Sequence, residues 1–186
     1  MTRAFHKRIR SILDENAAIL QRVTPGDVEK LIKALVRAEK IFIYGQGRTG
    51  HVSRAFATRL MQMGMEVHFV GETTTPRISR RDLCLVNSGT GQTRFVYHVA
   101  AAAKEAGAKL ATITAHPEAR IGQMADIVVT VPAPTKGETL NRRSRQPQGS
   151  LFEQAALLMM DAIVMILMDR LHITPSRLAR RHANIE

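Results

Sequence analysis

Tryptophan is absent and aromatic residues make up only 4% of the chain, so Leu, Ile, Val, Ala and the nine Met must fill any core. A single cysteine, Cys84, lies in the apolar run DLCLVN. It excludes an internal disulfide and reads as a buried structural thiol. The opening segment MTRAFHKRIR has no apolar stretch of the kind a signal peptide carries. The longest apolar run, Ala155 to Met168, is broken by Asp161 and falls short of the roughly 20 residues a bilayer requires. The seven His are dispersed, with no metal-ligand spacing, so neither a metal nor another cofactor is expected. No long basic tail or basic-aromatic platform is present, which argues against a nucleic-acid partner. These absences lead us to expect a cytoplasmic protein with no membrane or nucleic-acid partner.

What is present fits one domain. The chain has 186 residues, 45% of them hydrophobic, enough for a sizeable core. Lys and Arg number 27 against 16 Asp and Glu, a formal charge of +11. Such a surface attracts anions, phosphorylated metabolites among them. The basic residues are mostly scattered, with small clusters at Arg77/Arg80/Arg81, Arg142/Arg143/Arg145 and Arg177/Arg180/Arg181.

Periodicity divides the chain into N-terminal helices (1–38), an α/β core (39–132), a polar loop (133–149) and C-terminal helices (150–186). Thr24-Pro25 is a helix-start signal. KIFIYG, EVHFVG, DLCLVNSG, AKLATITA and DIVVTVP read as strands. Short runs, apolar on both faces and alternating with helices, predict a three-layer α/β sandwich around a five-stranded parallel sheet. The order 2-1-3-4-5, as in flavodoxin-like folds, would set the ends of strands one and three on either side of the switch point where ligands bind. The segment GSLFEQAALLMMDAIVMILMDRL is apolar over most of its circumference and needs cover from the sheet and from another subunit.

Gly45, Gly47 and Gly50 match the spacing G-x-G-x-x-G between a strand and a helix, the fingerprint of a dinucleotide turn. Glu72 stands about where a ribose-binding carboxylate would be. The third strand argues for a different ligand. It ends in NSGTGQT, where Ser88, Thr90 and Thr93 supply three hydroxyls and Gly89 and Gly91 allow a tight turn into a helix N-terminus. That is a phosphate cradle, and an ordinary cap would need only one hydroxyl. The two turns together suit a monophosphate with a short organic body.

GQGRTG, GETTTP, NSGTGQT, PQGSLFEQ and RHANIE, in this order, make the chain resemble the sugar isomerase (SIS) domain family, and within it the 6-phospho-3-hexuloisomerases. The resemblance covers nearly the whole chain. Thr49 and Thr90 stand where Ser is usual, and Gln92 where Glu is frequent. The resemblance implies conversion of D-arabino-3-hexulose 6-phosphate to fructose 6-phosphate in the ribulose monophosphate pathway of formaldehyde fixation. It also implies coupling to a hexulose-6-phosphate synthase and a homotetramer. The alternatives are another sugar-phosphate isomerase of the domain, a non-catalytic sugar-phosphate sensor, and an NAD oxidoreductase.

An enediolate isomerisation needs a base at carbon and a group that moves protons on oxygen. Hydrogen bonds can stabilise the oxyanion without metal. By spacing alone, Ser150-x-x-Glu153 is a capping box. The resemblance makes Glu153 the base. His182 in RRHAN is the expected oxygen-proton carrier, with His51 its rival. The phosphate is expected on Gly47, Arg48, Thr49, Ser88, Gly89, Thr90, Gly91 and Thr93. Thr73, Thr74 and Thr75 are expected to line the pocket.

Overall fold

The computed structural model describes residues 2–136 and 144–185. Part of the polar loop, including Arg142 and Arg143 of the second basic cluster, lies outside the described residues. Helices α1 (Thr2–Leu20) and α2 (Pro25–Arg37) precede β1 (Ile41–Gly45), α3 (Arg48–Met63), β2 (Val67–Phe69) and β3 (Leu83–Asn87). Then follow α4 (Arg94–Glu105), β4 (Lys109–Thr114), α5 (Arg120–Met124), β5 (Ile127–Thr130), α6 (Ser150–Arg170) and α7 (Pro175–Ala179).

The sheet is five-stranded and parallel, in the order β2-β1-β3-β4-β5. Alternate residues feed opposite faces, as strand geometry requires. Leu83 and Leu85 join the larger core with Phe56 and Leu60 of α3 and much of α6. Cys84 and Val86 join the smaller core with Val96 and Ala100 of α4 and Ile121 of α5. Burial pushes the Cys84 thiol up to about 12, so it is inert packing at neutral pH.

Two sequence signals resolve differently in three dimensions. Pro25 does open α2, but the Thr24 side chain makes no capping bond. The helix built on the last apolar run has 21 residues, and its most apolar 18-residue window has a mean hydropathy of 1.9, so by length and composition it could cross a bilayer. The expectation that this run is too short is corrected: the helix extends beyond the run at both ends. Of the apolar window in α6, 56% is buried inside the fold, where α1 and α3 pack against it as a core helix.

Candidate active site

Gly45 at the end of β1 pairs with Asn87 at the end of β3, so these carboxyl ends are neighbours at the reversal of strand order. A cavity of about 180 Å³ opens there. Its walls come from the turn into α3 (Gln46, Gly47, Arg48, Thr49), the end of β3 and its loop (Asn87, Ser88, Gly89, Thr90, Thr93), Thr135 and Lys136, and the start of α6 (Gly149, Phe152, Glu153).

The cradle residues converge. Ser88 Oγ donates to Thr93 Oγ1 at 3.2 Å, and Thr90 Oγ1 lies 3.5 Å from the same atom. Thr93 is the N-cap of α4, yet its side chain makes no capping bond. Three hydroxyls are thus held around one point at a helix N-terminus, a ready anion site. The Gly89 and Thr90 amides have no partner among the described residues, whereas the Gly91 amide donates to Ser88 O at 3.0 Å. Gly91 therefore shapes the turn, and its N–H is not free for a ligand. From the other side, α3 begins at Arg48 behind the N-cap Gly47 (φ 62°), and its first amides lack intrahelical acceptors.

Glu153 is 6% exposed in the first turn of α6. Arg48 Nε donates to its Oε2 at 2.5 Å, and Oε1 has no partner among the described residues. The expected capping box is not formed. The N-cap is Gly149, in the left-handed region at φ 83°, and the Ser150 amide donates to Pro147 O. A glycine that turns the chain one residue earlier shifts the helix start, so Ser150 falls inside the helix and Glu153 is released toward the cavity.

Other expected residues lie elsewhere. His51 is exposed in the first turn of α3 and does not line the cavity. His182 is exposed in the tail after α7. Its neighbour Arg181 packs over Gly64, the C-cap of α3, at the end of that helix away from Arg48. With 16 residues, α3 separates the two ends by about 24 Å. Thr73, Thr74 and Thr75 do not line the cavity, and Thr75 bonds Phe69 O and Glu72 O. Glu72 pairs with Arg54, not with a ribose site. Among the described residues no cluster of His, Cys, Asp or Glu could hold a metal.

Asn87, Thr135 and Lys136 line the cavity without having been anticipated. Both polar atoms of the Asn87 side chain are buried without partners among the described residues. An unsatisfied amide of this kind costs roughly 1–3 kcal/mol.

Three clustered hydroxyls thus face a buried carboxylate at the switch point of a parallel sheet. The chain matches the SIS domain over residues 34–158 and belongs to that family. It is 41% identical to a 3-hexulose-6-phosphate isomerase of Mycobacterium gastri, over 94% of this chain and 88% of the relative. It is 35% identical to a protein of the same name from Bacillus subtilis, over 96% and 97% of the two chains. A crystal structure from Methanococcus jannaschii, for which a 3-hexulose-6-phosphate isomerase function was inferred, superposes with a TM-score of 0.85 at 30% identity, covering 97% and 99% of the two chains. The chain is an enzyme of the isomerase class.

Proposed function

We propose that this chain, as a single SIS domain, interconverts D-arabino-3-hexulose 6-phosphate and fructose 6-phosphate through an enediolate without a metal. The observation that carries this reading is Glu153: a buried carboxylate with one oxygen tied to Arg48 and the other unpartnered, in the same cavity as three clustered hydroxyls. The phosphate fixes the sugar, and Glu153 moves the proton between C2 and C3. The relatives' names supply the substrate. The reading places the enzyme in the cytoplasm, in the ribulose monophosphate pathway, directly after a hexulose-6-phosphate synthase. Formaldehyde, ribulose 5-phosphate, such a synthase and this protein together should yield fructose 6-phosphate. If none accumulates while the synthase consumes its substrates, the substrate assignment is wrong.

The phosphate subsite has its own test. Ser88→Ala removes one charge-assisted hydrogen bond, a loss of roughly 1.5–3 kcal/mol. Fructose 6-phosphate and inorganic phosphate should weaken together by about ten- to hundredfold. Equal inhibition of variant and wild type by phosphate would show that the cradle holds something else.

His182 and His51 are the candidates for oxygen-proton transfer named by the sequence, and neither lines the cavity of its own chain. His182 reaches a cavity only if a neighbouring subunit presents it. The surface favours such a subunit. Leu158, Met165 and Ile166 of α6 and Phe5, Ile9 and Leu13 of α1 are exposed apolar stripes. We expect a dimer or tetramer, with a tetramer implied by the family resemblance. Light scattering at micromolar concentration should report it, and a monomer there would refute the assembly.

A further inference from the structure

Isomerisation moves a second proton, from one substrate oxygen to its neighbour, and no histidine expected from the sequence lines the cavity in this chain. A different histidine reaches it through a hydroxyl. Thr135, 4% exposed, lines the cavity. Its Oγ1 lies 3.1 Å from His116 Nε2, and His116 Nδ1 lies 3.0 Å from Glu118 Oε1. The backbone holds this chain in place. The His116 amide donates to Thr114 Oγ1 at 3.1 Å, and that hydroxyl donates to Gly89 O in the cradle loop at 3.3 Å. Thr135 also sits beside Gly89 and Phe152: a Cβ on Gly89 would come within 3.2 Å of Thr135 Cγ2 and 3.0 Å of Phe152 Cδ1.

The donor directions follow from the acid. Its own backbone amide and His116 hold the Glu118 carboxyl below its ordinary value. An ionised carboxylate only accepts, so Nδ1 carries the proton. In the neutral ring Nε2 must then accept, and the Thr135 hydroxyl donates to it. The lone pairs of Thr135 Oγ1 remain for a hydroxyl in the cavity.

We propose that Thr135 contacts the reacting hydroxyl of the sugar and that His116, oriented by Glu118, moves the oxygen proton through it; this rests on the isomerase reading above. Glu153 takes the proton from C2, the C–H electron pair forms the C2–C3 double bond, and the carbonyl oxygen becomes an oxyanion. The hydroxyl proton on C2 passes to Thr135 Oγ1 as the Thr135 proton passes to Nε2. The chain then runs in reverse and delivers a proton to the oxyanion on C3. The electron pair left on the C2 oxygen closes the new carbonyl, and C3 takes its proton back from Glu153. Protons and electrons balance with no co-reactant. The imidazolium formed midway is stabilised by Glu118, as in other hydroxyl–imidazole–carboxylate chains.

The test uses Thr135→Val, Thr135→Ser, His116→Gln and the double variant of Thr135→Val with His116→Gln. Thr135→Val should lower turnover of hexulose phosphate about a hundredfold or more and leave inhibition by inorganic phosphate unchanged. Thr135→Ser should return turnover to within a few-fold of wild type. Because the two groups act in series, the double variant should be no slower than Thr135→Val alone. Turnover by Thr135→Val near that of wild type, or multiplying losses in the double variant, would overturn the proposal and return the role to His51 or His182. Wild type that turns over no hexulose phosphate would instead sink the substrate reading. The Thr135 contact is then judged by binding: Thr135→Val should weaken fructose 6-phosphate several-fold but not inorganic phosphate, and equal affinity for the sugar phosphate overturns it.

Discussion

Glu153→Gln should abolish nearly all hexulose-phosphate turnover while leaving the protein folded and able to bind phosphate. The two sides of this expectation have different magnitudes. Loss of a positioned general base removes about 10²–10⁴-fold of rate, because an amide has no useful basicity at neutral pH. The structural cost is small. Gln presents an oxygen that can still accept from Arg48 Nε, and the Arg48 side chain is 69% exposed, so water screens the pair it forms with Glu153. Pairs of that kind contribute about 0–1 kcal/mol. No cap is lost either, since the helix starts at Gly149 and the Ser150 amide is satisfied by Pro147. Turnover should be measured beside the melting temperature and beside solvent-deuterium exchange into the substrate, which the same base drives. Near-normal turnover would remove Glu153 from the role of base. A large fall in melting temperature would mean that its role is structural.

The sequence made some parts of this site readable and hid others, for identifiable reasons. Ser88, Thr90 and Thr93 lie within one turn, so local spacing was enough to predict that their hydroxyls meet. The parallel sheet followed from short apolar strands joined by helices; the order 2-1-3-4-5 was taken from flavodoxin-like folds, and the observed order agrees and places the cavity between β1 and β3. Glu153 was harder. Ser150-x-x-Glu153 fits a capping box, and only the left-handed conformation of Gly149 shows that the helix begins one residue earlier. Gly91 was assigned a ligand-binding amide, but the turn it permits uses that amide internally. His116 and Thr135 come from separate segments after β4 and after β5, and no spacing rule links them. The histidine in a motif-like tail, His182, is placed by α7 at the far end of α3. Local chemistry is written in local sequence, whereas pairs made by tertiary packing are not.

The second large effect expected is on the frame of the site. Gly50 should not tolerate alanine, although alanine is the better helix former. Replacing a glycine inside a helix ordinarily gains about 1 kcal/mol. At Gly50 the new methyl would lie 2.6 Å from Gly45 O and 3.0 Å from Gly45 C. Those atoms belong to the last residue of β1, which is buried and paired with Asn87 of β3, so the strand resists their displacement. A Cβ on Gly45 would likewise lie 2.9 Å from Ser53 Oγ, 3.0 Å from Thr49 O and 3.2 Å from Gly50 Cα. The contact therefore sets the distance between β1 and the start of α3, and with it the position of Arg48 and Thr49 against the Ser88 cradle. Overpacking such a contact costs typically 1–3 kcal/mol. For a chain of this length that lowers the melting temperature by about 2–4 °C per kcal/mol. Gly26 in α2 supplies the control, because nothing lies within 4 Å of its would-be Cβ. Gly26→Ala should be neutral or slightly stabilising, while Gly50→Ala should melt several degrees lower and bind phosphate more weakly. If both variants gain stability, α3 is not held by this contact, and the glycine turn owes its sequence to something other than the close approach of strand and helix.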